Sequence, residues 1–315
     1  ICLFFIMPRW FCCSKVNLKL SDFPSVYFFM LIDNSQLQTF VECPRRYYNC
    51  YILNLKKIVE DEREVDMNFG KAIHKGLEVY YKLKDREQAL KAFNDSFTPL
   101  AGDLVRTPNH GTQLLSAYFN YYSGLTNELG DSYLATLITA DNKSAIEIKD
   151  TFNIGNIEYI VKIDRIVKSN AGNWVMDNKC TMKSLYTFSN KFTPNMQVSG
   201  YVDYVTKKYG QCSGFIPNVL QYGFRTRAYK GEPAGFHFQF QRDIVNRTKE
   251  QIDDFEQNVA YWCAKLEQAQ KDDYWGKNEN QCVRCSYREL CVNCDDESVK
   301  DALYQKYNPY AYLNE

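Results

Sequence analysis

The fold is decided by residues 157–180, which read IEYIVKIDRIVKSNAGNWVMDNKC. Two runs rich in Ile, Val and aromatic residues are separated by Asn170-Ala171-Gly172, a combination typical of a tight turn between antiparallel strands. Each run leads into an aspartate near its predicted end, Asp164 in the first and Asp177 in the second. We therefore expect the two carboxylates to lie close together on adjacent strands.

The flanking segments predict a single elaborated α/β domain. Before the two strands, residues 145–152 and the turn at Gly155-Asn156 predict a third strand, which completes an antiparallel meander. Apolar residues at helical spacing occur on both sides of the meander, and no internal repeat suggests a second domain. The other predicted elements are helices over 35–55 (interrupted at Cys43-Pro44), 69–83, 85–130, 194–209 and 244–270, and strands near 215–225 and 236–241.

Composition limits the classes of function. The chain has 315 residues, 45% of them hydrophobic, so it can bury a substantial core. Its 38 basic and 38 acidic residues balance, so any contact with nucleic acid must use a local groove. The apolar runs 1–7 and 26–32 are too short to span a bilayer, and no secretion signal is evident, so we expect a cytoplasmic protein with no membrane partner.

The sequence divides the chain into an N-terminal extension, a functional domain and a C-terminal tail. Residues 1–29 precede Met30 and are interpreted as a non-native or dispensable extension. We predict that residues 30–295 form the functional domain and that residues 296–315 form a C-terminal tail.

The paired aspartates predict a metal site. Two close carboxylates repel each other unless a divalent cation lies between them, and Mg²⁺ prefers oxygen ligands. Lys179 lies two residues after Asp177, so the strand period places both side chains on one face. There a lysine can orient an attacking water and stabilise charge that develops on a phosphate. Taken alone, an Asp-x-Lys tripeptide is also typical of a solvated sheet face.

The wider arrangement is more specific than the tripeptide. Gly70 and His74 are spaced as Gly-x-x-x-His, Asp164 and Asp177-Asn178-Lys179 follow in order, and Gln197 and Tyr201 share one helix face. This pattern resembles the PD-(D/E)XK nuclease superfamily, in particular its RecB/AddB-like branch. The resemblance implies a restriction-endonuclease-like core, with a mixed central sheet flanked by helices and a helical insertion.

The resemblance also implies roles for individual residues. Asp164, Asp177 and Lys179 would be catalytic, with Lys179 activating water, whereas Gln197 and Tyr201 would contact the substrate. The metal would be Mg²⁺ or Mn²⁺, and its ligands would be His74, Asp164, Asp177 and the backbone carbonyl of Asn178.

The cysteines predict a second centre. Cys282, Cys285 and Cys291 follow C-x-x-C-x-x-x-x-x-C spacing, which lets a loop place three thiolates around one metal centre. The fourth ligand is open between Cys294, which would make a compact zinc site, and Cys43. The segment around Cys43 resembles the N-terminal cysteine segment of iron–sulfur PD-(D/E)XK nucleases. That resemblance implies a 4Fe-4S cluster on Cys43, Cys282, Cys285 and Cys291, which would join the two ends of the domain.

These features together predict a metal-dependent deoxyribonuclease, an exonuclease acting on single-stranded DNA or duplex ends. As a stand-alone protein of this size, the chain resembles the nucleases of CRISPR adaptation and the phage-encoded nucleases of recombination or repair. No phosphate-binding loop of a helicase occurs, so a helicase or recombination partner would be a separate chain. The alternatives are a zinc- or cluster-stabilised DNA-binding subunit without activity, and an interaction module that is active only within a complex.

Overall fold

A mixed β-sheet lies at the centre of the protein. The computed structural model describes residues 30–58, 62–228 and 230–311, so the interpretation of residues 1–29 lies outside the described residues. In this described part, seven strands form the sheet: β1 (Met30–Asp33), β3 (Ala135–Thr136), β4 (Ile146–Ile154), β5 (Ile157–Ser169), β6 (Gly172–Thr181), β7 (Cys212–Arg225) and β8 (Gly235–Arg242).

The strand order along the sheet is β1-β5-β6-β7-β8, with β3 and β4 also paired to β5. Strands β4, β5 and β6 run antiparallel in sequence, which confirms the predicted meander. Strand β7 pairs with β6 in parallel after a helical crossover, and β8 returns antiparallel to β7. The sheet is therefore mixed, as expected for the predicted fold.

Helices cover both faces of this sheet. They are α1 (Asn34–Glu42), α2 (Pro44–Tyr47), α3 (Glu62–Leu83), α4 (Arg86–Ser96), α5 (Pro108–Gly124), α6 (Leu185–Ser189), α7 (Met196–Tyr209), α8 (Lys249–Lys271), α9 (Arg288–Val292) and α10 (Glu297–Leu303). One hydrophobic core packs α1, α7 and α8 against the sheet through residues such as Leu37, Val202 and Phe255. A separate core holds α3, α4 and α5, through residues such as Phe69 and Phe93. We call α3, α4 and α5, which follow one another in the chain, the helical layer. That part of it is an insertion into the superfamily core stays a prediction.

Two helix boundaries differ from the prediction because polar side chains cap the helices. The last long helix, predicted to begin at residue 244, begins at Lys249, where Thr248 and Gln251 form a reciprocal capping box. Val245, just before the cap, instead exchanges backbone hydrogen bonds with Phe215. The helix predicted over 194–209 begins at Met196, because the Asn195 side chain accepts a hydrogen bond from the Val198 N–H.

The N-terminal helix breaks at the predicted position. Helix α1 ends at Glu42, Cys43 is extended with φ −163° and ψ 109°, and α2 restarts at Pro44. Proline suits the first position of a helix because the missing N–H would have no intrahelical partner there. The break turns Cys43 out of helical geometry, and its side chain is buried.

A small second sheet joins distant parts of the chain. Strand β2 (Leu55–Lys57) pairs antiparallel with β9 (Tyr304–Lys306), which belongs to the segment from 296 that we set apart as a tail. Asn308, just beyond β9, lines a cleft to which α3 and β5 also contribute. Within the described residues, no helix combines the length and the apolar character needed to cross a bilayer.

Two glycines of α5 offer a matched test of the helical layer. A Cβ atom built at Gly111 would lie 1.9 Å from Cζ of Phe93, whereas one at Gly124 would meet nothing within 4 Å. We expect Gly111→Ala to lower the free energy of unfolding by about 1–3 kcal/mol, because overpacking forces side chains out of their rotamers. Gly124→Ala should leave it unchanged or raise it slightly. Urea unfolding measures both, and equal stabilities would show that this packing is wrong.

Candidate active site

Asp164 and Asp177 lie where the central sheet changes its pairing. Strand β5 pairs with β1 up to Ile160 and with β6 from Arg165 onward, where Arg165 stands opposite Met176. Asp164 lies between these two pairings, and Asp177 follows the last residue of β6 that pairs with β5. The prediction that each aspartate stands near the end of its strand is therefore wrong. Both lie inside long strands, at the point where the two strands part.

A side-chain hydrogen bond replaces the strand pairing at this gap. The backbone N–H of Asn178 donates to Oδ2 of Asp164 at 2.7 Å, and both residues are buried. Burial alone would raise the pKa of the Asp164 carboxyl, but the positive charges of His74 and Lys179 and the N–H of Asn178 lower it. Asp164 is thus held as a carboxylate inside the protein.

Helix α3 supplies His74. Its Nδ1 lies 3.3 Å from Oδ2 of Asp164. One turn earlier, a Cβ atom at Gly70 would lie 3.9 Å from Cβ of Cys180, so the helix passes close to β6 at this point. Burial alone would lower the pKa of His74, but the negative charge of Asp164 raises it. The imidazole therefore faces the first carboxylate directly.

Lys179 faces the second carboxylate. Its Nζ lies 2.6 Å from Oδ2 of Asp177, as the strand period predicted for residues two apart. Asp177 is buried, whereas the side chain of Lys179 is 29% exposed. Burial raises the pKa of Asp177 although Lys179 opposes the shift. Lys179 and Asp177 thus form a close ion pair within the site.

The site opens into a cleft of about 1280 Å³. Four of the predicted residues line it: His74, Asp164, Asn178 and Lys179. Asp177, which is 3% exposed, does not line it. The remaining charged lining residues are mostly lysines, with three acidic residues among them: Asp66, Lys71, Lys75, Glu78, Lys82, Glu147, Lys149 and Lys162. A polyanion would therefore meet basic side chains on the way to the acidic pair.

Sequence analysis missed Glu147. It lies on β4 beside the site and has a left-handed backbone, with φ +51°. Burial raises the pKa of Glu147 to about 7, and the negative charge of Asp164 adds to the shift. In the sequence it is one of several charged residues of a predicted strand, and no motif distinguishes it from Lys149 or Asp150. Only the three-dimensional structure places it near the aspartates.

A family model described as the PD-(D/E)XK nuclease superfamily matches residues 34–292. The chain belongs to this superfamily. A crystal structure of a protein from Eubacterium rectale, described as a candidate exonuclease, is similar with 10% sequence identity and a TM-score of 0.43, over 80% of this chain and 85% of that one. No curated protein matches the sequence.

The pair on α7 lies beneath the site of this PD-(D/E)XK chain. Nε2 of Gln197 donates to the hydroxyl of Tyr201 at 2.9 Å, and that hydroxyl donates to the backbone carbonyl of Lys162 on β5. Tyr201 is 5% exposed, and neither side chain lines the cleft. The structure thus places both where they hold α7 against β5. Their contact with substrate stays a prediction.

The four cysteines predicted to form a cluster come from both ends of the superfamily match and lie near one another. The backbone N–H of Asn278 lies 3.4 Å from Sγ of Cys43, which joins the N-terminal break to the C-terminal cysteine segment. Burial raises the pKa of Cys285, and negative charge on Cys43 and Cys282 would add to the shift. Burial likewise raises the pKa of Cys291, with Cys285 among its neighbours.

The predicted metal ligands are not arranged as a preformed metal site. Across residues 30–58, 62–228 and 230–311, no group of three or more His, Cys, Asp or Glu side chains is arranged to hold a metal ion. In the active site, the charges of Asp164 and Asp177 are met instead by His74 and Lys179. Among the cysteines, Cys294 is exposed, whereas Cys43 is buried.

Proposed function

We propose that this protein is a Mg²⁺- or Mn²⁺-dependent deoxyribonuclease, an exonuclease that acts on single-stranded DNA or on duplex ends. The observation that carries the proposal is the gap in the sheet. Asp164 and Asp177 meet there, Lys179 lies beside them, and a cleft rich in lysine leads to them. Recombination, repair and CRISPR adaptation are the pathways in which we place it. A helicase or recombination protein would be a separate partner chain.

The residues at the gap fit a hard divalent cation. Carboxylate and carbonyl oxygens are the ligands that Mg²⁺ prefers, and two buried carboxylates, those of Asp164 and Asp177, lie at this gap. Asp164, Asp177 and the backbone carbonyl of Asn178 would hold the ion, with His74 as a further ligand. Bound there, the ion would neutralise the two carboxylates and supply Lewis acidity toward a phosphate.

The protein's own groups would bind and orient the reactants. Lys149 and Lys162 lie in the cleft and would attract the phosphodiester backbone, a local attraction that the zero net charge of the chain does not provide. Lys179 would orient the attacking water and stabilise the negative charge that develops on the phosphate. The buried carboxylate of Asp177 fixes the position of the Lys179 ammonium through their ion pair.

We also propose that Cys43, Cys282, Cys285 and Cys291 hold a 4Fe-4S cluster with a structural role. The support is their proximity and their origin in two distant segments, which a cluster would tie together. The alternative is a zinc ion that takes Cys294 as its fourth ligand.

Cleavage of end-labelled DNA tests the proposed activity. The full chain, purified without oxygen, is given single-stranded or duplex DNA labelled at either the 5′ or the 3′ end, with Mn²⁺ or with EDTA. We expect cleavage with Mn²⁺ and none with EDTA, and the labelled end gives the polarity. If a correctly folded, metal-loaded protein binds the DNA and leaves it intact, it is a non-catalytic binding subunit instead.

A further inference from the structure

A row of buried polar side chains crosses three strands behind the active site. Asn178 on β6 stands opposite Asn218 on β7, and Asn218 stands opposite Arg242 on β8. Nδ2 of Asn218 donates to Oδ1 of Asn178 at 2.6 Å, and Nε of Arg242 donates to Oδ1 of Asn218 at 3.0 Å. All three residues are buried, and Asn218 is fully inaccessible to solvent. The row connects the active-site strand to the far edge of the sheet.

The far end of the row is fixed by α3, α5 and the connection that follows α5. Arg242 donates to the carboxylate of Asp131 at 2.9 Å and to the hydroxyls of Tyr81 and Tyr118 at 2.9 and 2.8 Å. Its third nitrogen donates to the backbone carbonyl of Leu129 at 2.6 Å. Every nitrogen of the guanidinium thus has an acceptor, so the arginine has a single well-defined position.

Stability alone does not account for such a row. Replacing a buried ion pair by well-packed apolar residues is often neutral or stabilising, so a buried arginine bonded through two asparagines is not the most stable filling for a sheet. What the row provides is a fixed geometry. Its end at Asn178 is the residue whose backbone N–H holds Asp164.

The active-site strand needs this support because its regular pairing is incomplete there. Beyond Met176, β6 no longer pairs with β5. On its other side, the residue opposite Asp177 is Pro217, which has no N–H to donate. Successive side chains of a strand point to opposite faces, so Asn178 points away from Asp177 and Lys179. The row can therefore hold this segment from the face opposite the ion pair of Asp177 and Lys179.

We propose that Asn218 and Arg242 are positioning residues for the metal site. By holding the Asn178 side chain, they fix the backbone that supports Asp164 and that presents the carbonyl assigned as a metal ligand. The inference rests on the proposed function for that ligand set. It adds two residues that never touch substrate or metal.

The test measures Mn²⁺ affinity of the full chain by the electron paramagnetic resonance signal of unbound Mn²⁺. The variants are Asn218→Ala, Asn178→Ala and the double mutant. Each single substitution should raise the Kd for Mn²⁺ about 10-fold or more, the size expected for loss of a group that supports a metal ligand. The double mutant should match one single mutant instead of multiplying the two effects, because both act through one hydrogen bond.

A variant of the apolar core separates positioning from general loss of stability. Leu115→Ala shortens a fully buried side chain of the helical layer. Leu115 takes no part in the polar row. The substitution should lower the melting temperature while leaving the Kd for Mn²⁺ unchanged. If Asn218→Ala does not fold, Asn218→Ser replaces it, because a hydroxyl can still accept from Arg242.

The outcomes distinguish this inference from the proposed function. The positioning role would be overturned if Asn218→Ala bound Mn²⁺ as tightly as wild type. It would also be overturned if the two single-mutant changes in Kd multiplied in the double mutant. A wild-type protein that binds Mn²⁺ and leaves DNA intact would overturn the nuclease proposal, and the Kd values would still decide the role of the row.

Discussion

Lys179→Ala should lower the rate of DNA cleavage by about 10²–10³-fold at saturating Mn²⁺, the cost of removing one group that stabilises charge in a transition state. Nζ of Lys179 is the cation nearest to Asp177 among the contacts at the gap, and it also lines the cleft. The side chain is not a proposed metal ligand, and its removal leaves Asp177 with no ion-pair partner among the residues that the structure describes. We therefore expect the Kd for Mn²⁺ to stay the same or to fall, while the rate of DNA cleavage falls by the amount given above.

Lys162→Ala is the matched control. Lys162 lines the same cleft, and its Nζ lies 4.0 Å from Glu147, at the limit of an ion pair, with 44% of its side chain exposed. Its loss should weaken DNA binding at low substrate concentration and change the saturated rate little. Single-turnover cleavage at high enzyme concentration measures this difference. Equal rates for Lys179→Ala and wild type would show that the water-activating role is wrong.

Cys43→Ser should remove the proposed cluster and lower the free energy of unfolding by an amount on the order of 3–5 kcal/mol. Cys43 comes from the N-terminal break and its three partners from beyond residue 280, so a link between them closes most of the domain into one loop. Cross-links over long loops restrict the unfolded chain most strongly, and a bound metal group adds its own binding energy to folding. Iron content, visible absorbance and the melting temperature should all fall together.

Cys294→Ser tests the competing zinc site. Cys294 lies three residues after Cys291 and is exposed, so its substitution should leave a cluster on the other four cysteines intact. Iron content and melting temperature would then match wild type. Loss of bound zinc in this variant, with no iron in wild type, would establish the zinc alternative. A melting temperature unaffected by Cys43→Ser would exclude a structural role for the centre.

Much of the site could be predicted because its central part is local in sequence. Asp164, Asp177 and Lys179 lie on one hairpin, and alternation along two apolar strands suffices to place them on adjacent strands. Helix α3 was predictable for a similar reason. Its apolar stripe at Phe69, Ile73 and Leu77 follows the helical period, and the stripe packs as a core.

The remaining features depend on contacts between distant segments. The change of partner along β5, from β1 to β6, creates the gap between the aspartates, yet no residue of β5 signals it. Strand register is likewise decided by the whole sheet, so the alignment of Asn178 with Asn218 and Arg242 could not be predicted from the three separate strands. Helix starts were missed by a few residues because the caps at Asn195 and Thr248 outweigh the apolar period.

The same helix carries both a proposed metal ligand and part of the basic surface of the cleft. The sheet holds Asp164 and Asp177, whereas α3 carries His74 together with the basic side chains Lys71 and Lys75. A substitution that repacks α3 against α4 and α5 would therefore move all three side chains at once. Lys71 and Lys75 are exposed, so replacing them individually can change the nucleic acid that the protein accepts while the packing of the helix, and with it the chemistry, is kept during evolution.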